Sequence, residues 1–202
     1  MEFKNVYLGR RAVRRYKEKE VSLDLLGEII DLAGFAPSSG NLQNWRFVIV
    51  TDQAKRQQIA DAALEQGWML EAPVYIVVCN DHKDVETHYG KLGKMYSIQN
   101  CAVVSFGIML AAYNKGLSSC WVGAFDNEAV QRVLGIPDDM DPEVIITLGY
   151  GDETKKASLR EDPRYISYFN SWGATTTNFP SHLDQLKSLI DVKKQIQKIK
   201  KK

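Results

Sequence analysis

Four arginines stand within six residues near the start of the chain: Arg10, Arg11, Arg14 and Arg15. In a helix Arg10 and Arg14 share a face, and in an extended chain they share a face with Ala12 between them. Paired guanidinium groups can bind phosphate oxygens through parallel hydrogen bonds. The segment therefore predicts a phosphate-binding site, with a solvated basic turn as the alternative.

A second group of polar residues lies in a short stretch, residues 36–45, between an apolar periodic segment and an apolar run. Its hydroxyl and amide side chains belong to Ser38, Ser39, Asn41 and Gln43. These groups donate and accept hydrogen bonds without carrying a fixed charge. They suit a flat heterocycle with polar edges better than a metal ion, although the same residues are common in ordinary turns.

Small residues mark a third stretch, where an apolar run, residues 118–122, is followed by Gly123 and Ala124. With almost no side chain at these positions, a ligand ring could approach the backbone N–H groups closely. A strand-to-helix turn that needs small residues is the alternative interpretation.

Periodic segments on either side must hold these stretches in place. Helical spacing in residues 23–36 predicts a helix with Ser22 as N-cap and Pro37 as its end. Thr51 is predicted to cap a surface helix over residues 51–66, with Leu64 facing inward. Apolar runs predict buried strands at residues 47–50, 74–79 and 143–151. The longest uncharged stretch predicts a core helix over residues 95–114, ended by Gly116, and a shorter helix follows at 127–134.

Composition narrows the class of protein. The 202 residues are 45% hydrophobic and 25% charged, which is typical of a globular domain. Residues 187–202 hold seven lysines and one aspartate, so the net charge of +1 leaves 1 − 6 = −5 for the rest. This distribution argues against nucleic-acid binding. Three cysteines without a Cys-x-x-Cys pair, and no N-terminal apolar signal core, indicate a reduced cytoplasmic protein. The six-residue spacing of His82 and His88, without a third strong ligand, argues against a metal site. Polar residues in the longest uncharged stretch favour a buried helix over a membrane span.

Four motifs in the same order resemble the nitroreductase family over about residues 6–162. They are Arg-Arg-x-Val-Arg-x-Tyr, Ala-Pro-Ser-Ser-x-Asn-x-Gln-x-Trp, Gly-Leu-Ser-Ser-Cys-Trp-Val-Gly-Ala-Phe-Asp, and Leu-Gly-Tyr-Gly followed by Lys and Arg. The resemblance implies an α+β homodimer with a central, mainly antiparallel sheet of four or five strands flanked by helices. It also implies FMN at the subunit interface.

The resemblance assigns site residues as well. Arg10 and Arg14 match contacts to the FMN phosphate and ribityl chain, with Arg11 in the same motif. The loop positions that reach the flavin from the other subunit correspond to Ser38, Ser39 and Asn41, with Gln43 beside them. The backbone of Gly123 and Ala124 matches the segment near flavin N5, and Lys156 and Arg160 resemble distal phosphate contacts.

Three positions depart from the family pattern. Ala12 stands where a hydroxyl is common and Asn100 where an aspartate is frequent. Asn44 replaces the usual proline before Trp45 and is expected to loosen the loop.

The implied activity is hydride transfer from NADH or NADPH through flavin N5 to a nitroaromatic, quinone-like or other electron-poor acceptor. No protein side chain is then required as an acid or base. Three alternatives stay open: a specialised flavin-fragmenting dimethylbenzimidazole synthase-like or dehalogenase-like enzyme, a flavin-binding module whose basic tail docks on an acidic partner, and nucleic-acid binding. Residues 1–162 are predicted to form the FMN-binding domain. Residues 163–202 are predicted to form an extension with a Lys-rich amphipathic helix packed on the partner subunit.

Overall fold

A four-stranded antiparallel sheet forms the centre of the computed structural model, which describes residues 1–176 and 179–186. Its strands are β1 (Trp45–Val50), β2 (Val74–Asn80), β3 (Ser118–Val122) and β4 (Asp141–Gly149). Their order across the sheet is β1-β2-β4-β3, and every neighbouring pair runs antiparallel. The predicted α+β class with a mainly antiparallel sheet is confirmed.

Helices cover both faces of this sheet. They are α1 (Phe3–Gly9), α2 (Leu23–Gly34), α3 (Gln53–Ala62), α4 (Lys83–Tyr89), α5 (Gly93–Asn114) and α6 (Asn127–Leu134). One apolar core joins α2 and α5 to the sheet, and a second core joins α3 and α6 to its other face. Strand β2 lies between both cores, and all seven of its residues are buried. Its unbroken apolar run follows from this two-sided burial.

The central helix α5 contains the uncharged segment, residues 95–114, that the sequence assigned to the core. Cys101, Val104 and Ile108 are fully buried in it. The helical stretch Lys83–Asn114 is long and apolar enough to cross a membrane by length and composition alone, and half of its apolar window is buried within the protein. Because α5 packs against both α2 and the sheet, the prediction of a core helix is confirmed.

Several local predictions are also confirmed. The Ser22 side chain accepts a hydrogen bond from the Leu25 N–H group and caps α2. Helix α6 ends at Gly135, whose φ of 66° lies in the left-handed region that glycine adopts without strain. Gly116, with φ of 85°, follows α5 in the same way.

Two details of the predicted elements are wrong. Helix α3 is capped by Asp52, whose side chain accepts from the Lys55 N–H group, and not by Thr51. Leu64, predicted to face inward, lies beyond the end of α3 and is 71% exposed.

Strand β1 also differs from its prediction, because it is only partly buried. It lies at the edge of the sheet, and Ile49 is 42% exposed. An apolar run of this length fits a buried strand and an edge strand equally well, so the sequence alone could not separate them.

The chain divides into two compact units, Met1–Lys155 and a second unit that begins at Lys156. Within the second unit, Asp162 caps the short helix α7 (Pro163–Ile166). Two aromatic pairs follow, Tyr168 with Trp172 and Phe169 with Phe179. The start of the predicted C-terminal helix is present as the bond from the Leu186 N–H group to the His182 carbonyl. The Lys-rich remainder of that helix lies outside the described residues.

Candidate functional site

The arginine segment, residues 10–16, is extended and lies beside β3. Ala12 forms a bridge with Ser119, and the Val13 N–H group donates to the Ser119 carbonyl at 3.1 Å. Of the two predicted conformations, the structure therefore has the extended one. Val13 is buried and Arg10 is half-buried, whereas Ala12 and Arg14 are exposed, so the alternating face predicted for Arg10, Ala12 and Arg14 reaches the surface at Ala12 and Arg14.

Two arginines of this segment have different surroundings. Arg11 Nη1 donates to the carbonyls of Leu8 and Arg10, at 2.8 and 2.7 Å, and so satisfies acceptors at the end of α1. The Arg14 guanidinium lies over the Trp68 ring, 5.2 Å from its centroid. This cation–π contact orients the Arg14 side chain.

Tyr16 anchors the end of the arginine segment. Its hydroxyl group donates to the Val13 carbonyl at 2.7 Å and lies 2.9 Å from Thr147 Oγ1. Burial raises the pKa of Tyr16 well above its usual value, so the phenol stays protonated and keeps this donor. The Tyr16 N–H group donates to Glu71 Oε2, and the Arg14 N–H group donates to Glu153 Oε1. The backbone of the segment is therefore held on both sides.

The serine loop, residues 38–43, is a tight turn with an unusual backbone. Gly40, Asn41 and Gln43 all have positive φ, of 59°, 57° and 47°. The Ser38 hydroxyl accepts from the Gln43 N–H group at 3.1 Å and closes the turn. Gln43 Nε2 donates to the Asn41 carbonyl and side-chain oxygens, both at 3.3 Å, and these two side chains are exposed.

A chain of three buried asparagines ties the serine loop to the sheet. The Ser39 N–H and hydroxyl groups both donate to Asn100 Oδ1, at 3.0 and 3.2 Å. Asn100 Nδ2 donates to Asn44 Oδ1, and Asn44 Nδ2 donates to Asn80 Oδ1, each at 2.7 Å. Asn80 Nδ2 then donates to Glu143 Oε1 at 2.7 Å. We call the three asparagines the amide relay.

The expectation that Asn44 loosens the loop is wrong. Asn44 is only 2% exposed, and its side chain bonds directly to Asn100, another of the departures from the family pattern. Sequence reasoning missed this pairing because the two residues lie 56 positions apart. Burial raises the pKa of Glu143 at the far end of the relay, while the bond from Asn80 acts in the opposite direction.

Gly123 and Ala124 directly follow β3 and are exposed. The Ala124 carbonyl accepts from Gln66 Nε2 at 3.3 Å. A Cβ atom at Gly123 would lie 3.3 Å from Trp121 Nε1, which is a tight approach. Small residues at this turn therefore relieve crowding with Trp121 as well as leaving the backbone accessible.

The structure brings two of the predicted parts together and separates the third. The arginine segment and the turn at Gly123 both adjoin the same stretch, where Trp68 contacts Arg14 and Gln66 contacts Ala124. The serine loop leads into β1 at Trp45, which lies opposite Asn80 on β2 and, through it, opposite Asp141 on β4. The arginine segment pairs with Ser119 on β3, which lies opposite Leu148 on β4. Seven residues of strand correspond to about 23 Å. One chain therefore holds the serine loop and the arginine segment at opposite ends of its sheet, whereas the turn at Gly123 follows Val122, which pairs with Ile145, and lies between these levels.

The remaining candidates are two exposed cations and three buried thiols. Lys156 and Arg160 belong to the second unit, where both are exposed. The three cysteines are buried and unpaired by disulfides, and burial raises the pKa of Cys79 to about 11 and that of Cys101 to about 12. Among residues 1–176 and 179–186, no three His, Cys, Asp or Glu side chains are grouped to hold a metal ion.

Similarity to known proteins extends over most of the chain. The family model described as "Nitroreductase family" matches residues 7–68 and 62–150. An NADH dehydrogenase of Thermus thermophilus is 32% identical over 190 residues, covering 79% of this chain and 92% of the relative. A 5,6-dimethylbenzimidazole synthase of Rhodospirillum rubrum is 27% identical over 171 residues, covering 73% of this chain and 81% of the relative.

Solved structures agree with this result. The FMN-dependent nitroreductase of Clostridium difficile R20291 is 28% identical and superimposes with a TM-score of 0.72, covering 83% of this chain and 99% of that structure. The matched family model includes the arginine segment, the serine loop and the turn at Gly123 and Ala124. The motifs, the antiparallel α+β fold and these similarities together establish that the chain belongs to the nitroreductase family.

Proposed function

We propose that the chain is an FMN-dependent oxidoreductase that takes hydride from NADH or NADPH and reduces an electron-poor small molecule. The observation that carries the proposal is the position of the arginine segment beside the small-residue turn at Gly123. An anion site next to an accessible backbone suits a ligand with a phosphate at one end and a flat ring at the other. The family and the name of the Clostridium difficile structure support FMN as that ligand.

The residues present fit FMN. Arg10 and Arg14 alternate along an extended segment, with Arg14 exposed and Arg10 half-buried, and Trp68 orients the Arg14 guanidinium. The neighbouring Glu153 carboxylate would repel a phosphate, but it receives the Arg14 N–H group and lies 2.9 Å from Lys155 Nζ, which offsets its charge. Bound FMN would supply hydride acceptance at N5 and electron transfer to the acceptor.

The assignment of roles follows the same geometry. Arg10 and Arg14, with Arg11 beside them, would hold the phosphate and ribityl chain, and the backbone of Gly123 and Ala124 would face the ring. The exposed amides of Asn41 and Gln43 offer donors and acceptors for the polar edges of a ring. Ser38 and Ser39 hold that loop in shape, and Lys156 and Arg160 are proposed as distal phosphate contacts.

The separation of these parts within one chain supports the proposal of a homodimer. The serine loop and the arginine segment of one chain lie about 23 Å apart along the sheet, so we propose that each ligand is held by the loop of one subunit and the arginines of the other. Exposed apolar side chains in α1, in α5 and just before α5 are proposed to be buried by a second copy: Phe3 is 75%, Met95 46% and Leu92 52% exposed. The aromatic extension from residue 163 is proposed to pack on the partner subunit.

The first experiment is an absorption spectrum of the purified protein, followed by heat release of the ligand and anaerobic addition of NADH and NADPH. Flavin bands, FMN in the supernatant and bleaching by one nucleotide are the expected results. Bound FMN that neither nucleotide bleaches would contradict the NAD(P)H reductase and favour a flavin-binding module. A colourless protein that FMN does not reconstitute would refute the proposal.

The phosphate assignment has its own test, which compares FMN with riboflavin. Arg14→Ala should weaken FMN binding by about tenfold to a hundredfold, the equivalent of one charge-assisted hydrogen bond, and leave riboflavin binding unchanged. Arg15→Ala is the matched control, because Arg15 is also exposed and carries the same charge, whereas the guanidinium that lies over Trp68 is that of Arg14. Equal effects of the two variants would show that only the overall charge matters.

A second candidate is a flavin-fragmenting enzyme, and the similarity to the Rhodospirillum rubrum dimethylbenzimidazole synthase favours it. The discriminating measurement is the mass spectrum of the flavin after reduction and exposure to air. Intact FMN with a turned-over acceptor supports the reductase, whereas loss of intact FMN supports fragmentation.

Buried cysteines without disulfides are consistent with the cytoplasmic location that we propose.

A further inference from the structure

We propose that Glu143 and the amide relay are positioning residues. They form a chain of hydrogen bonds in which every amide donates in the direction of Glu143, and this chain holds Ser39 in the serine loop. The sheet residue at one end of this chain is Glu143, and the loop residue at the other end is Ser39. The relay residues between them are Asn80, Asn44 and Asn100. The importance of the loop for cofactor binding rests on the proposed function, whereas the relay itself does not.

The two ends decide the direction of the chain. A backbone N–H group can only donate, so the Ser39 N–H group requires an oxygen from Asn100. An ionised carboxylate can only accept, so Glu143 requires a nitrogen from Asn80. Only one orientation of the three intervening amides satisfies every bond, with each oxygen turned toward Ser39 and each nitrogen toward Glu143.

Side contacts with Ser97 support the same orientation. Asn44 Nδ2 also donates to the Ser97 carbonyl at 3.3 Å, and a carbonyl can only accept. Asn80 Nδ2 donates to Ser97 Oγ at 3.0 Å, while that hydroxyl donates to the Lys94 carbonyl at 2.8 Å. Asn44, Asn80, Ser97 and Asn100 are all buried, so an amide turned the wrong way would leave a polar atom unsatisfied away from water.

The relay also determines what Ser39 can offer to a ligand. The single hydroxyl hydrogen of Ser39 is directed to Asn100 Oδ1, as is its N–H group. Ser39 therefore presents only an oxygen lone pair, and it can accept a hydrogen bond from a ring N–H or a hydroxyl group but cannot donate one.

A direction set by its ends can be reversed by changing both ends. In Asn100→Asp the carboxylate still accepts from Ser39 but has no hydrogen for Asn44, so the relay lies between two acceptors and one link must fail. In Asn100→Asp/Glu143→Gln the new amide at position 143 can donate to Asn80, and the three bonds between positions 143 and 100 can form in the opposite direction. The reversed Asn44 amide then loses its longer bond, at 3.3 Å, to the Ser97 carbonyl. Glu143→Gln alone keeps an oxygen that accepts from Asn80.

The test is the melting temperature of these variants in the full-length protein without added ligand. We expect Asn100→Asp to lower Tm by about 5 °C, because a buried polar group loses its partner. Glu143→Gln alone should change Tm by less than about 2 °C. The double variant should recover about half of the loss, because the reversed Asn44 amide no longer donates to the Ser97 carbonyl. Additive effects of the two substitutions would overturn the proposal.

A control separates the relay from simple charge repulsion between Glu143 and the carboxylate introduced at position 100. Asn100→Asp/Glu143→Met removes the same negative charge but offers no donor to Asn80. It should therefore show no recovery, and recovery equal to that of the Gln double variant would refute the relay.

The positioning role is read from the loop itself. Amide hydrogen exchange in residues 38–43 should quicken in Asn100→Asp and return toward the natural rate in Asn100→Asp/Glu143→Gln. FMN affinity should follow, with about a tenfold loss and partial recovery, because the binding-competent loop is populated less. Failure of the natural protein to bind FMN would refute the proposed function only, whereas unchanged exchange in Asn100→Asp would refute the positioning role only.

Discussion

Helix α4 packs directly against the first turn of α5 at Gly93, and this contact leaves no room for a side chain. A Cβ atom at Gly93 would lie 2.3 Å from Glu86 Cα, 2.7 Å from the Glu86 nitrogen and 2.7 Å from the Val85 carbonyl oxygen. All three are backbone atoms, which cannot rotate out of the way. The close approach also determines where residues 83–92 lie beside the core helix.

The predicted effect of Gly93→Ala follows from these distances. Carbon atoms in contact normally lie about 3.5 to 4.0 Å apart, so α4 must move by more than about 1 Å or α5 must begin later. Overpacking of this kind costs about 1 to 3 kcal/mol, and a backbone neighbour favours the upper end of that range. For a chain of 202 residues, about 3 kcal/mol lowers Tm by about 6 to 12 °C.

The assay is thermal unfolding followed by circular dichroism, with Gly27→Ala in α2 as the matched control. No atom lies within 4 Å of a Cβ added at Gly27, and the position is exposed within a helix. The same substitution there should stabilise the protein by about 0.5 to 1 kcal/mol and raise Tm by about 1 to 4 °C. A Gly93→Ala protein as stable as the natural one would refute the close α4–α5 contact.

Three further predictions concern single groups. Tyr16→Phe should lower Tm by about 2 to 8 °C in thermal unfolding, because the Val13 carbonyl and Thr147 lose a buried partner; an unchanged Tm would mean that the anchor is not needed. Burial raises the pKa of Glu143, so the native state retains that proton at a higher pH than the unfolded chain does, and the native form becomes less favoured as pH rises through this interval. The Tm difference between Glu143→Gln and the natural protein should therefore shift in favour of the variant from about pH 4 to about pH 7, and a flat difference would contradict a raised pKa. The three buried thiols should react with a soluble disulfide reagent only after unfolding, because burial raises the pKa of Cys79 and Cys101 to about 11 and about 12; rapid labelling of the native protein at neutral pH would contradict their burial.

The elements that the sequence predicted well depend on local chemistry. Ser22 caps α2 through a neighbour three residues away, and Gly135 ends α6 through its own backbone conformation. Both signals lie within a few residues of the feature that they determine. The core helix α5 was predicted equally well, because a long uncharged segment in a globular protein is usually buried in its core.

The features that the sequence did not reveal depend on distant residues. Strand β1 lies at the edge of the sheet because, among the described residues, it pairs only with β2. An apolar run does not indicate how many strands will pair with it. The choice between a helical and an extended arginine segment was decided by Ser119, more than a hundred residues away. The relay joins Asn44, Asn80 and Asn100, whose separations of 36 and 56 residues match no sequence motif.

The amide relay also has an evolutionary consequence. Because Asn100 and Glu143 jointly set its direction, the effect of a substitution at one end depends on the residue at the other. A lineage that first replaces Glu143 by glutamine can later accept aspartate at position 100 with a smaller loss of stability, whereas the reverse order passes through a more strongly destabilised intermediate. The order in which these two substitutions arise therefore decides whether the protein passes through a less stable variant. The two positions are coupled in this way although they do not touch, because the hydrogen bonds between them run through two other side chains.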